Sequence, residues 1–256
     1  MGPHDDRHAL RIEIAPVEGL AEIVSGDPLG GLIAERCEIA AGDVLVISQK
    51  VVSKAEGRIR RLADVAPGER ARELAVELGK DAALVEVILA ESRSIIRAER
   101  GVLIVETLSG WICANAGIDA SNVPGDDSVV LLPVDADASA RRLRAELGAV
   151  CGVTPAVLVA DSFGRPWRIG QADVAIGCAG IDALDDWRGR SDRAGRELNA
   201  TLIAVADELA AAADLARDKA AGVPAVRIRG AAHLVSAEDG PGAAALRRPA
   251  AEDLFR

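Results

Sequence analysis

The sequence has no tyrosine, two phenylalanines, three tryptophans and a single methionine in 256 residues. Aromatic residues make up 2% of the chain and hydrophobic residues 50%, so the core must be built from Ala, Val, Leu and Ile. No window approaches the roughly 18 consecutive apolar residues of a membrane span. Net positive charge is missing too: the formal charge is −10. That excludes non-specific nucleic-acid binding, which needs cationic side chains to displace counterions. An anionic substrate must instead meet a local basic patch. The four cysteines, Cys37, Cys113, Cys151 and Cys178, form no CxxC pair. Two of the three histidines, His4 and His8, lie in the opening ten residues, leaving only His233. A zinc centre or a disulfide framework is not expected, and reduced thiols in the cytoplasm are. Neither GxxxxGK[ST] nor a GxGxxG after a strand occurs, so a nucleotide would have to be held by other means. The opening MGPHDDRHAL lacks a basic-then-apolar signal pattern. Residues 1–9 are expected to be a flexible lead and residues 10–256 one domain, with 64–100 as a candidate subdomain insert.

Hydrophobic periodicity supplies the elements. Residues 10–16 alternate as a strand, and 27–40 read as a helix. GDVLVIS (42–48) is a strand after a Gly-Asp turn, which QKVVSKAEGR (49–58) continues into polar sequence. Ala71, Leu74, Ala75 and Leu78 repeat at helical spacing, and a second helix follows near 81–91. Residues 101–117 read as a hairpin with a Ser-Gly turn, and 128–133 as a strand. A helix near 137–148 can be capped by Asp137. A strand runs over 156–161, a helix over 201–219, a strand over 223–230, and the tail after 241 is expected to be helical. Helices and strands alternate irregularly, so the class is α+β, with mixed sheets and flanking helices.

Four stretches carry chemistry. In PAVLVADSFGRPWRIG (155–170) an apolar run ends in Asp161 and Ser162, with Arg165 and Arg168 just behind. In CANAGIDASNV (113–123) a strand runs into Asn115, Asp119, Ser121 and Asn122. Carboxylate and hydroxyl oxygens of this kind suit Mg²⁺ or Mn²⁺ together with phosphate oxygens, provided the two loops meet. Each loop alone is equally a set of Asx turns. Lys50 and Lys54, four apart with Ser48, would share one face of a strand and could neutralise phosphate or carboxylate; lysines also simply protect edge strands. The guanidiniums of Arg165 and Arg168 suit carboxylate or phosphate, and Trp167 offers a stacking face or a core plug. Asp207, Asp214 and Asp218 fall within about 20° of the first on one helical stripe, which is more often a solvated face.

Six ordered segments together resemble the coenzyme F420-0:L-glutamate (γ-glutamyl) ligase family: EIAPVEGL (13–20), GDVLVISQKVVSKAEGR (42–58), CANAGIDASNV (113–123), LLPVDADASA (131–140), DSFGRPWRIGQADVAIG (161–177) and GREL…VADELAAAADL (195–215). The resemblance spans nearly the whole chain. It implies an α+β homodimer of unusual fold that forms an amide at the expense of GTP. It implies Mg²⁺ or Mn²⁺, with a monovalent cation such as K⁺ as a further candidate. Asp119 and Asp161 match metal-binding aspartates, and Ser162 stands where a threonine ligand is common. Asn122 matches a nucleotide contact, Leu20, Ala21, Glu22 and Ile23 match a segment lining the nucleotide site, and Gln49 and Lys54 match contacts from the lysine-rich stretch. Asp218 belongs to ARDKAAG (216–222), which departs from a glycine-rich acidic loop in some members; Arg193-Ala194 departs from a more usual Leu-Tyr. Some members carry an additional flavin-binding domain, for which no sequence is expected here.

The implied chemistry is phosphorylation of a carboxylate by GTP, followed by attack of the L-glutamate amine on the acyl phosphate. Lys54, with Arg165 and Arg168, is assigned to anionic substrate groups. A metal-dependent phosphate-ester hydrolase and a non-catalytic nucleotide-binding dimer are the alternatives. The partners expected are the small molecules F420-0, L-glutamate and GTP.

Overall fold

Two runs without a polar break, VLVI and AVLVA, lie side by side at the centre of the molecule. The computed structural model describes residues 11–120, 127–217 and 222–254. In chain order the elements are β1 (Glu13–Pro16), α1 (Leu29–Ala34), β2 (Val44–Ser48), α2 (Gln49–Ala55), β3 (Ile59–Arg61), α3 (Glu69–Leu78), α4 (Ala82–Ala90), β4 (Ser92–Glu99), β5 (Val102–Thr107), β6 (Ile112–Ala114), β7 (Ser128–Val130), α5 (Ala136–Cys151), β8 (Ala156–Arg165), β9 (Arg168–Ala179), β10 (Asp185–Asp186), β11 (Leu202–Ile203), α6 (Val205–Asp214) and β12 (Ala225–Arg229). The main sheet has the order β1-β12-β2-β8-β9. Only β2 and β8 are parallel; the other pairs are antiparallel. Smaller sheets pair β3 with β7, β10 with β11, and β4, β5 and β6. The α+β class read from the sequence is the class observed.

Helices cover both faces of the main sheet, which is why its central strands are apolar throughout rather than alternating. Leu45, Ile47, Val157 and Val159 face α1 and α5, where Ile33, Ala140, Leu143 and Leu147 meet them. Val44, Val46, Ala156 and Leu158 face α6, through Ala206, Leu209, Ala210 and Ala213. A separate core, Ala71, Leu74, Leu78, Val85, Ile88, Leu103 and Val105, joins α3 and α4 to β5. Alanines let α6 lie close on the sheet, so few aromatics are needed to fill the volume. Among the described residues no helix is long and apolar enough to cross a membrane.

Several sequence expectations change. Residues 49–55 are helix rather than continued strand. Gln, Lys and Ala are strong helix formers, and Ser48 leaves β2 in an extended conformation that can open a helix. Asp135, not Asp137, caps α5, accepting from the Ala138 N–H at 2.9 Å. Asp137 instead accepts from the backbone of Cys178, Ala243 and Ala244. The helix expected over 201–219 is shorter, because Leu202–Ile203 pair with β10 before α6 begins. The helix expected over 27–40 contracts to α1. The tail forms only short 3₁₀ turns at Ala243–Leu246 and Ala250–Glu252. β4 and β9 were not foreseen, since SIIRAE and QADVAIG show neither period cleanly.

Where α5 starts, its first turn sits on β9 with no room for a side chain. A Cβ at Gly177 would lie 2.2 Å from the Ala136 carbonyl oxygen, a backbone atom that cannot step aside. Gly177→Ala should therefore destabilise the protein by about 3 kcal/mol. Gly152→Ala, at a left-handed helix terminus with open space around it, should lose only about 1 kcal/mol. Urea unfolding of both variants checks the contrast, and equal losses would contradict it.

Candidate active site

Because β2 and β8 are parallel, their carboxyl ends emerge at the same edge of the sheet, with Ser48 opposite Ala160. Such an edge is the usual ligand crevice of sheets containing parallel strands. β2 turns directly into α2 there, so Gln49 and Lys50 start beside the residue that follows Ala160, which is Asp161. A register shift in β8–β9 falls between Val159 and Ala160. Bulges of this kind re-aim side chains next to sites. Beyond it β8 leaves the core and becomes one arm of the hairpin with β9.

Asp119 reaches the same place from the second sheet. After β6 the chain takes left-handed backbone at Asn115, Ala116 and Gly117, with φ of 52°, 56° and 69°. Two of these are not glycine, and such strain is characteristic of positions held for function. The buried Oδ1 of Asn115 has no hydrogen-bond partner among the described residues. Asp119 then pairs its backbone with Val130 in both directions, and its carboxylate lies 2.7 Å from the Lys50 ammonium.

The electrostatics of Asp161 register charges from both loops. Asp161 is raised from the ordinary carboxylate range to about 7, first by desolvation in its packed surroundings, then by the charges of Asp173 and Asp119. The Ser162 backbone N–H and the Lys50 ammonium oppose the rise without cancelling it. Burial, with the charge of Asp161, pushes the Cys113 thiol of β6 to about 12. So β6, α2 and the end of β8 surround one under-compensated carboxylate.

Consecutive strand residues face opposite ways. Asp161 points to the side of α1 and α5, and Ser162 to the side of α6. There Ser162 Oγ donates to Asp173 Oδ1 at 2.6 Å. Arg217, just after α6, donates to Asp173 Oδ2 at 2.6 Å and to the Val46 carbonyl at 3.2 Å. Asp207, expected on a solvated stripe, turns inward and accepts from the Ala175 N–H at 2.9 Å; burial raises its pKa.

Among the described residues no three His, Cys, Asp or Glu side chains form a ready metal cage. The donor set nevertheless fits Mg²⁺ or Mn²⁺, because these ions need only one or two protein carboxylates when phosphate and water complete the shell. An under-compensated carboxylate is what a cation would relieve.

The remaining expected residues distribute as follows. Lys50 and Lys54 do share a face, through the helical i, i+4 relation rather than strand alternation. Lys54 is buried and pairs with Glu22 at 2.5 Å, which ties Leu20–Ile23 to α2; Ile23 is buried in the core and Ala21 is exposed. Gln49 is buried and accepts from Ser53 Oγ at 3.1 Å. Arg165 and Arg168 sit at the hairpin tip, not with the carboxylates. Arg165 is four residues past Asp161, about 13 Å along a strand, and donates to the carbonyls of Ile169 and Gly170. Trp167 is no core plug: it is 85% exposed. Ser121, Asn122 and Asp218 lie outside the described residues. Sequence reasoning missed Asp173 and Arg217. Counting back across the Pro166-Trp167 turn from the Arg165–Arg168 pair places Gln171 opposite Ser162; the register shift between Gly164 and Arg165 brings Asp173 there instead, and nothing local marks Arg217.

Carboxylates and an ammonium group gathered at the ends of the parallel strands are chemistry suited to charged substrates, and the chain's relatives define the class as a ligase. A family model described as F420-0:Gamma-glutamyl ligase matches residues 19–230. The chain is 45% identical over 249 residues to a coenzyme F420:L-glutamate ligase of Methanopyrus kandleri, covering 96% of this chain and 98% of that relative. It is 46% identical over 222 residues to one of Archaeoglobus fulgidus, covering 86% and 88%. It is 44% identical over 256 residues to one of Methanothermobacter thermautotrophicus, covering 96% and 100%. The chain belongs to the F420-0:γ-glutamyl ligase family, whose members join carbon to nitrogen.

The raised Asp161 carboxyl has a consequence for stability. A carboxyl that ionises near 7 when folded and near 4 when unfolded favours the fold while protonated, and that contribution disappears as the pH rises through about 7. Metal-free wild type should lose roughly 2–4 kcal/mol relative to Asp161→Asn between about pH 4 and pH 8. Urea unfolding across that range measures the difference, and parallel stability curves would remove the electrostatic account of the site.

Proposed function

We propose that the protein joins L-glutamate to coenzyme F420-0 by GTP-driven amide ligation through an acyl phosphate. The observation that carries this reading is the meeting of Asp119, Asp161 and Lys50 at the carboxyl ends of β2 and β8. Asp119 and Asp161 would hold one Mg²⁺ or Mn²⁺ through their carboxylates, and Ser162, on the other face of the strand, would offer a neutral oxygen to a second such cation. Such a cation supplies charge compensation for the triphosphate and lowers the barrier to phosphoryl transfer when bound.

The chain's own groups position the reactants. Ammonium groups on α2 neutralise phosphate oxygens or the substrate carboxylate: Lys50 now compensates Asp119, and Lys54 now compensates Glu22. Both can exchange these partners for substrate anions. Leu20–Ile23, Gln49, Asn122 and Asp218 belong to the nucleotide site in this reading. The acid substrate's carboxylate oxygen bonds to the γ-phosphorus as the bond to the β-phosphate bridging oxygen breaks, releasing GDP. The glutamate amine then bonds to the carbonyl carbon, phosphate leaves with the electron pair of the C–O bond, and the amine proton passes to solvent. No covalent enzyme intermediate is required. Arg165 and Arg168, on an exposed hairpin, would reach the acidic tail of F420-0 or the incoming glutamate.

A homodimer and a cytoplasmic location belong to the same reading. The hairpin tip supports the first: Trp167 and Ile169 are 85% and 102% exposed, an apolar surface that a second subunit would cover.

Mass spectrometry of F420-0 incubated with protein, GTP, Mn²⁺ and L-glutamate should show addition of glutamyl units. Phosphate release without an amide product would point to a hydrolase, and GTP binding with neither would point to a non-catalytic protein. Asp161→Asn should fold normally yet lose at least about a hundredfold in product formation; near-normal turnover in that variant would discard the metal role.

A further inference from the structure

Asp173 and Arg217 form an ion pair in which the two side chains are 3% and 8% exposed. A buried ion pair is weak evidence for stability, since well-packed apolar residues of similar volume often serve as well or better. Its placement calls for another explanation. Asp173 lies directly across the hairpin from Ser162, and each of its oxygens has one partner: Oδ1 accepts the Ser162 hydroxyl proton and Oδ2 accepts from Arg217. A serine hydroxyl has one proton and two acceptor lone pairs. With the proton committed to a carboxylate, both lone pairs remain for other partners, and the oxygen gains electron density from a charge-assisted bond.

We propose that Asp173 is a positioning residue: it takes the Ser162 proton so that the hydroxyl oxygen is presented as a ligand to a hard cation at the end of β8. Arg217 holds Asp173 in this orientation and, through the Val46 carbonyl, anchors the chain after α6 to β2. The inference rests on the metal role of Ser162 advanced above, and extends it to the pair of residues that holds its hydroxyl. The chemistry matches the common pattern in which a metal ligand's remaining proton is given to a carboxylate. Asparagine at 173 cannot do the same work. Its single oxygen must choose between Arg217 and Ser162, and an amide N–H facing Ser162 would occupy a lone pair and turn the hydroxyl proton toward the cation.

The test is a double-mutant cycle on Ser162 and Asp173, read by electron paramagnetic resonance as loss of free Mn²⁺, with and without GDP, alongside product assays. Asp173→Asn should weaken Mn²⁺ binding by about tenfold to a hundredfold and raise the KM for Mn²⁺ more than it lowers kcat. In a Ser162→Ala background the same substitution should change Mn²⁺ affinity by less than about twofold, because the group it acts through is gone. The double variant Asp173→Asn with Arg217→Met removes both buried charges together; it should fold and show the same Mn²⁺ defect as Asp173→Asn alone. An unchanged Mn²⁺ affinity in Asp173→Asn, or an equal loss with and without Ser162, overturns the positioning role. If wild type binds no Mn²⁺ under either condition, the underlying metal reading fails first. If Ser162→Ala binds as wild type does, it is the ligand role of Ser162 that fails.

Discussion

The parallel pairing of β2 with β8 is the constraint on which the site depends. Ten backbone residues in register, from Val44 opposite Ala156 to Ser48 opposite Ala160, bring two distant segments to one edge. Antiparallel pairing would have sent the end of β2 to the opposite edge and separated α2 from Asp161. The pairing is secured from both faces: Leu45, Ile47, Val157 and Val159 are fully buried under α1 and α5, and Val44, Val46, Ala156 and Leu158 under α6. Burying each of these larger aliphatic side chains is worth about 1.5–3 kcal/mol, far more than the few kcal/mol of unfavourable charge gathered at the strand ends. The core therefore sustains a site that is electrostatically unfavourable in isolation.

That imbalance is local. Asp161 has two carboxylates near it against one ammonium that is already paired with Asp119. Asp43 shows the opposite arrangement. Asp43 is 1% exposed and receives Arg229 in two hydrogen bonds of 2.9 and 2.7 Å. Burial would raise its pKa, but Arg229 and the Ala40 N–H outweigh burial and lower it. The contrast between Asp43 and Asp161 separates a carboxylate neutralised by an arginine from one whose burial and acidic neighbours outweigh its ammonium. Asp173 is of a third kind, neutralised by Arg217 on one oxygen and engaged with a hydroxyl on the other.

The strained turn at Asn115–Gly117 fits the same division. Its backbone is held by β6 on one side and by the Asp119–Val130 bridge on the other, so Asp119 is aimed from rigid structure rather than from a free loop. Gly117 also lies against Leu132, where a Cβ would come within 2.7 Å of the side chain. The second core under α3 and α4 fixes β5, and through it β6, as a support for this turn.

The amino-acid sequence by itself determined the α+β class, most of the elements, the apolar central strands, and the residue types able to grip a cation and phosphate. Those features follow from local periodicity and from side-chain chemistry, which neighbouring residues suffice to express. Residues 49–55 form a helix that their Gln, Lys and Ala already favour; only tertiary structure decided that this helix starts beside Asp161, because β2 pairs in parallel with β8. It decided that Asp135 rather than Asp137 caps α5, because the ends of β9 and the final segment present three backbone donors to Asp137. And it decided that Asp161 meets Asp119 and Lys50 while Ser162 meets Asp173 and Arg217. Those contacts span the chain, and they exist only where a parallel strand pair, a register shift and a hairpin fold distant residues onto one edge.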